Sequence, residues 1–193
     1  MAFTPRLTSI GILGNIHWYS NQNPYYATGY GMPNCTAYAW GRFWEVGDPL
    51  SLGNNKPNPN DLPGYWNGGY WWSNVNTNVY RVGDTPALGA VICFEDTSGG
   101  DGHVAVVEVI NNDGESIVTS NSAWNGSFFY TMTLYKSNNY GWGGNNNDRY
   151  RCQGFIYNPY GDNPAPEINK RSNFPWVLYA NKIRNRQSLT KYN

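Results

Sequence analysis

Two residues far apart in the chain could do covalent chemistry together. Cys35 stands in Asn34-Cys35-Thr36-Ala37-Tyr38-Ala39-Trp40, and His103 heads Gly102-His103-Val104-Ala105-Val106-Val107-Glu108-Val109, 68 residues further on. A thiol attacks a carbonyl well only as thiolate, and its pKa, about 8.5 when free, falls at a helix N-terminus or beside a protonated imidazole. Gly31-Met32-Pro33-Asn34 cannot lie inside a helix, so a helix starts at or next to Cys35. The sulfur then sits at the positive end of the macrodipole, among free backbone N–H groups. The same groups can receive the oxygen of a tetrahedral intermediate, at roughly 3–4 kcal/mol per donor. Asn34 is a candidate to add a further donor. The polar flanks of Cys35 argue against a buried core thiol.

His103 follows the loop Thr97-Ser98-Gly99-Gly100-Asp101-Gly102, which leaves room for a substrate, while the strand behind it supplies rigidity. That setting suits a general base and acid. Such a base needs an orienter. The next strand, Ser116-Ile117-Val118-Thr119-Ser120-Asn121-Ser122, ends at Asn121, and hairpin geometry returns that end to the His103 strand. An Asn there fixes the imidazole tautomer without forming an ion pair; Ser122 is a lesser candidate. His17 has no comparable setting and is read as incidental. Cysteine with histidine in this order points to a cysteine-dependent amide hydrolase.

No second chemistry competes. GxxxxGK[ST], HExxH and EF-hand patterns are lacking, and Asp84, Asp96 and Asp101 are scattered, so no metal site is expected. Three cysteines without a CxxC pair exclude a disulfide scaffold and a zinc site. Cys93 and Cys152 both lie in strand patterns and read as small core residues, with a bridge between them left open.

The 193 residues suffice for one domain with a sizeable core. Aromatics reach 17% and charged residues only 13%, with nine Trp and sixteen Tyr. An aromatic-rich, charge-poor surface suits carbohydrate or an extracellular polymer better than nucleic acid. Net charge is zero but uneven: residues 167–193 hold six Lys/Arg against one Glu, leaving the preceding part at −5. The basic tail is a candidate for docking on an acidic partner, on nucleic acid or on the anionic wall polymers of a bacterium. No apolar run approaches the ~20 residues that cross a membrane, and no signal peptide is recognised in the first residues.

The elements expected around these residues are a helix over 35–46, ended by Gly47-Asp48-Pro49, and a loop over 48–63. A short helix or turn over 65–75 carries Trp66, Trp71 and Trp72. Strands follow at 88–95, 103–110, 115–121, 127–135 and 150–157, with Asn112-Asp113-Gly114 turning between the second and third. Residues 1–34 and 141–147 read as loop and Gly161–Pro166 as linker. Trp176, Tyr179 and Ile183 stand at helical spacing in the tail. A helical region followed by antiparallel strands is an α+β pattern.

This set of segments resembles the CHAP domain, the cysteine, histidine-dependent amidohydrolase/peptidase family. The resemblance is carried by Asn34-Cys35-Thr36-Ala37-Tyr38-Ala39-Trp40-Gly41-Arg42, Leu88-Gly89-Ala90-Val91, Gly102-His103-Val104-Ala105-Val106-Val107, the strand ending at Asn121 before Trp124-Asn125-Gly126, and Gln153-Gly154-Phe155-Ile156-Tyr157. It spans about residues 24–159 in the family's order, with particular likeness to domains of bacteriophage lysins and tail-associated wall hydrolases. It implies a papain-like fold, with N-terminal helices on an antiparallel, partly barrel-like sheet of five to six strands. It implies peptidoglycan as substrate, cut between muramic acid and L-Ala or within the stem peptide or cross-bridge. The nucleophile maps to Cys35, the base to His103 and the third position to Asn121. Some members bind calcium through an Asp-rich loop before the cysteine; Asn21 to Asn34 has no acidic residue, so neither metal nor cofactor is expected. The organisation expected is an N-terminal segment over 1–20, a catalytic domain over 21–160 and a basic tail over 161–193. The tail, too short for a wall-binding module, is a candidate contact to phage structural proteins. The setting implied is a virion or the host cytoplasm before release. Trp66, Trp71, Trp72 and Trp124 are candidates to line the substrate groove. The rival reading is a CHAP-like module that binds wall or virion without cleaving.

Overall fold

Capping explains where the central helix begins. In the computed structural model, which describes residues 3–47, 59–137, 141–143 and 149–162, Asn34 stands just before the helix α2 (Cys35–Gly47). The Asn34 side-chain oxygen accepts from the Thr36 backbone N–H at 2.9 Å and from Thr36 Oγ1 at 2.8 Å. Its backbone carbonyl accepts from the Tyr38 N–H at 2.9 Å. An Asn at this position satisfies donors that the first turn leaves unpaired. The helix is buried along most of its length, from Thr36 to Trp44. Gly41 is tolerated mid-helix because Trp18 packs there: a Cβ would come within 2.5 Å of the indole. A preceding short helix, α1 (Pro24–Ala27), is capped by Asn23, whose amide also donates to the His17 and Ala37 carbonyls. Ile12, His17 and Trp18 are fully buried, so residues 3–20 form part of the core. His17 lies between the rings of Trp18 and Trp44.

Among the described residues the sheet has seven strands in the order β1-β7-β2-β3-β4-β5-β6, all pairs antiparallel. They are β1 (Val82–Gly83), β2 (Val91–Asp96), β3 (His103–Ile110), β4 (Ser116–Asn121), β5 (Tyr130–Ser137), β6 (Gly141–Gly143) and β7 (Tyr150–Ile156). The five strands expected from sequence are present, each with bounds moved by up to three residues. The count of five to six is corrected to seven. β1 is too short to show an alternating pattern, and β6 (Gly-Trp-Gly) falls where residues 141–147 read as loop. Pairing with Tyr135–Ser137 makes it a strand. Gly141 of β6 comes against Cys152 of β7, so the sheet curls without closing. Cys93 and Cys152 are free thiols on neighbouring strands.

Alternation along β3 separates two cores. Val104 and Val106 face α2, while Ala105 and Val107 face the inside of the curl with Phe94, Ile117, Leu134 and Phe155. The short 3-10 turn Gly68–Tyr70 and helix α3 (Trp71–Asn74) cover one end. Among the described residues no helix is long and apolar enough to cross a membrane.

One buried ion pair fixes α2 on the sheet. Arg42 donates through Nε and Nη2 to both oxygens of Glu108, each at 2.9 Å, and Ser120 Oγ on β4 donates to Glu108 at 2.6 Å. Arg42 also donates to Glu45 and to the Thr4 carbonyl, and the Arg6 N–H donates to Glu108. Removing one partner leaves an uncompensated buried charge, which costs about 3–5 kcal/mol. Arg42→Met should therefore lower the unfolding free energy by about that amount, and the Arg42→Met/Glu108→Leu double variant by less. Urea titration followed by tryptophan fluorescence measures both.

Candidate functional site

Helix α2 delivers Cys35 to the end of the central strand β3 at its first residue, and β3 delivers His103 at its own first residue. The two side chains lie close enough for each to shift the other's titration. His103 Nε2 lies 3.0 Å from Asn121 Oδ1. The Asn121 amide is oriented by Thr119, whose carbonyl and Oγ1 accept from Asn121 Nδ2 at 3.2 and 3.0 Å. Oδ1 is thereby turned to the ring as an acceptor, which places the neutral ring's proton on Nε2 and leaves Nδ1 for the thiol. Cys35, His103 and Asn121 thus come together as the sequence expected.

Electrostatics favour a charged pair. Burial pushes the Cys35 thiol up, but the hydrogen bond and charge of His103, with the Val104 and Thr36 backbone N–H groups, bring it below its ordinary value. Burial pushes His103 down, and Cys35, then Asn121, more than reverse this, so the imidazole holds its proton to higher pH than usual. Burial pushes the Cys93 thiol well up, with Cys152 adding to the effect. Reactivity therefore belongs to Cys35 rather than Cys93.

The His103 loop is held from both sides. Asp96 accepts from Ser98 N at 2.9 Å, Ser98 Oγ at 2.5 Å and Arg149 Nε at 2.8 Å, with the Arg149 bond the main cause that holds its carboxyl well below the usual range. On the other side the Gly69 N–H donates to the Asp101 carbonyl at 2.8 Å, and Asn67 Nδ2 to Asp101 Oδ1 at 2.6 Å. Gly68 lies against the His103 backbone, where a Cβ would be 2.8 Å from Cα and C. Gly102 has φ +69°, and a Cβ there would meet Gly69 at 2.4 Å. This clamp was not legible beforehand: Gly68 and Gly69 sit among tryptophans without a motif.

The triad opens into a cavity of about 480 Å³ inside the curl, also lined by Tyr30, Asn67, Asp101, Trp124, Tyr130 and Met132. With that geometry in place, comparison with known proteins is decisive. Residues 25–123 match the family model for the CHAP domain, just over half of the chain. The chain belongs to the CHAP domain family. A probable autolysin, SsaALP, from Staphylococcus aureus is 32% identical over 60% of this chain and 37% of its own length. A putative hydrolase from Streptococcus mutans is 46% identical over 26% of this chain and 24% of its own. The chain thus matches well under half of the length of either relative. The crystal structure of Ly7917 covers 67% of this chain and 55% of its own at 15% identity, with a TM-score of 0.44.

Within this CHAP domain several expected roles change. Asn34 Nδ2 donates to the Tyr30 carbonyl at 2.9 Å and Oδ1 caps the helix, so its amide is engaged in holding α2 rather than left as a free donor. Ser122 is fully buried and donates to the Ser127 carbonyl at 3.3 Å, away from His103. Trp71 is a core residue, 0% exposed, with Nε1 donating to Tyr25 Oη; it does not line the groove. Trp72 packs against the main core cluster and Gly154. Trp66 is half exposed beside Tyr70, outside the cavity wall, while Trp124 is on that wall. Thr119, unnoticed in the sequence, sets the Asn121 amide. Among the described residues no cluster of three or more His, Cys, Asp or Glu is placed to hold a metal ion.

Two measurements follow from this geometry. Iodoacetamide should alkylate Cys35 with a rate that rises with pH through a midpoint below the ordinary thiol value, because only the thiolate reacts. His103→Ala should move that midpoint upward. Asn121→Ala should lower the His103 value and narrow the thiolate–imidazolium window from its alkaline side. Gly68→Ala should displace His103 and slow Cys35 alkylation near neutral pH by tenfold or more.

Proposed function

We propose that this CHAP domain hydrolyses an amide bond of bacterial peptidoglycan with Cys35 as nucleophile, in a papain-like manner. The observation that carries the reading is the Cys35–His103–Asn121 constellation at the mouth of a cavity, with the nucleophile on the first residue of a helix. Similarity to a probable autolysin and a putative hydrolase supports the hydrolytic reading.

In this reading the Cys35 thiolate adds to the amide carbonyl, and the oxyanion meets backbone N–H groups at the start of α2. The C–N bond breaks as the His103 imidazolium gives its proton to the leaving nitrogen, which departs as amine. A thioester remains. Neutral His103 then takes a proton from water, the hydroxide adds to the thioester, and the C–S bond breaks. The products are a carboxylic acid, which gives its proton to solvent, and the Cys35 thiolate beside a protonated His103. Asn121 holds the ring throughout, and Thr119 holds Asn121. The class of bond is the muramoyl–L-alanine amide or a peptide bond of the stem or cross-bridge. The setting is wall penetration or lysis by a bacteriophage, as the resemblance to lysins and tail hydrolases suggests; the basic tail over 161–193, assigned to virion contacts, lies outside the described residues from 163 onward.

Cys35→Ser should abolish release of new amino groups from purified walls while leaving the thermal transition in place. Undiminished release by that variant would remove Cys35 from its role. Wall binding by the wild type without any release would favour the binding-module reading.

A further inference from the structure

Two rings on the rim of the cleft are exposed where the fold does not require them. Tyr30 is 56% and Trp124 52% exposed, and their centroids lie 5.7 Å apart with planes tilted by 40°. Both line the cavity that contains Cys35 and His103. Each is carried by a segment that also carries part of the triad. The Tyr30 carbonyl accepts from Asn34, next to the nucleophile. Trp124 follows Asn121 by three residues, in a turn closed by Ala123 N to Ser127 O at 3.0 Å and Gly126 N to Ala123 O at 2.9 Å. The backbone that carries each ring is therefore held by these hydrogen bonds, which lowers the ordering cost of binding.

The rest of the lining narrows what that ligand is. Among the described residues no Lys or Arg contributes to the cavity wall, and the one carboxylate side chain there, Asp101, is engaged by Asn67. A stem peptide, which carries carboxylates, finds no Lys or Arg to pair with among those described residues, and the one cationic ring there, His103, is held by Cys35 and Asn121. A pyranose ring is uncharged and offers a face of C–H groups that an aromatic ring covers, while its hydroxyls stay hydrated or meet polar tips such as Tyr30 Oη. Half-exposed rings beside a cleft with a few polar groups have the character of a ligand subsite. The rings share a cavity of about 480 Å³ with the sulfur, so a sugar on the rings brings the amide attached directly to it nearest to the nucleophile.

We propose that Tyr30 and Trp124 form a saccharide subsite that stacks a sugar ring of the glycan strand, so that the amide presented to Cys35 is the one joining muramic acid to the first stem residue. The assignment of the scissile bond rests on the hydrolase reading above; the sugar site itself does not.

Two soluble ligands separate the cases: a disaccharide carrying a stem peptide, and the same peptide without sugar. Titration calorimetry on Cys35→Ala should show tighter binding of the sugar-bearing ligand. Adding Trp124→Ala or Tyr30→Ala should weaken that ligand by about tenfold and leave the free peptide unchanged, with Trp124→Phe recovering part of the loss. Equal affinity of Cys35→Ala for both ligands, or unchanged affinity in both ring variants, overturns the subsite. Mass spectrometry of wild-type digests should show a free N-terminal L-Ala and an intact lactyl carboxylate on the sugar; cleavage only within peptide overturns the bond assignment. Sugar-dependent binding with no cleavage by the wild type would leave the subsite standing and remove the hydrolase reading. The Cys35 alkylation rate, measured in the ring variants with Cys35 retained, should match the wild type and reports that the triad is intact.

Discussion

The contact between the Cys35 thiol and the His103 ring is the constraint to which the rest of the structure answers. Neither partner has its altered titration alone. A thiol buried in apolar surroundings is pushed up, as Cys93 is, and a buried imidazole is pushed down. Only together do they reverse these effects, because each stabilises the charged form of the other. The protein must therefore hold two elements, distant along the chain, to within hydrogen-bond tolerance while withholding most solvent.

It does so with a second set of buried polar residues behind the first. Arg42 lies two helical turns from Cys35 on α2, Glu108 lies five residues from His103 on β3, and Ser120 precedes Asn121 on β4. The hydrogen bonds Arg42–Glu108–Ser120 thus tie the same three elements that carry Cys35, His103 and Asn121. A purely apolar contact would let the helix slide along the sheet at little cost, whereas a bidentate pair has one register. The N-terminal segment reinforces it through the Arg6 N–H on Glu108 and the Thr4 carbonyl on Arg42. Residues 3–6 are thereby part of the scaffold of the site.

Local backbone chemistry does the finer placement. Asn34 begins the helix at Cys35, and the Gly68–Gly69 pair receives Gly102 and His103 at backbone contact. Side chains larger than hydrogen at these glycines would move the imidazole away from sulfur. Aromatic residues then divide by depth: Trp18, Trp40 and Trp71 fill the core, while Tyr30 and Trp124 remain at the mouth. Among the described residues others, such as Tyr65, Trp66 and Tyr70, are exposed away from the cleft, so exposure alone does not mark the site.

The sequence determined the parts that depend on neighbours along the chain. Asn34 before Cys35 fixes a helix start, alternation over His103–Ile110 fixes a strand and its two faces, and Asn-Asp-Gly fixes the hairpin that returns Asn121. These are short-range rules of capping, periodicity and turn geometry. The tertiary structure decided what depends on proximity across the fold: Gly141–Gly143 becoming a strand by pairing, Trp71 and Trp72 turning inward while Trp124 stays out, and Asn34 spending its amide on the helix. It alone brought Gly68 against His103 and Thr119 to the Asn121 amide. A tryptophan or a glycine looks the same in sequence whether its neighbour is solvent, a ring or another backbone, because that neighbour is supplied by packing.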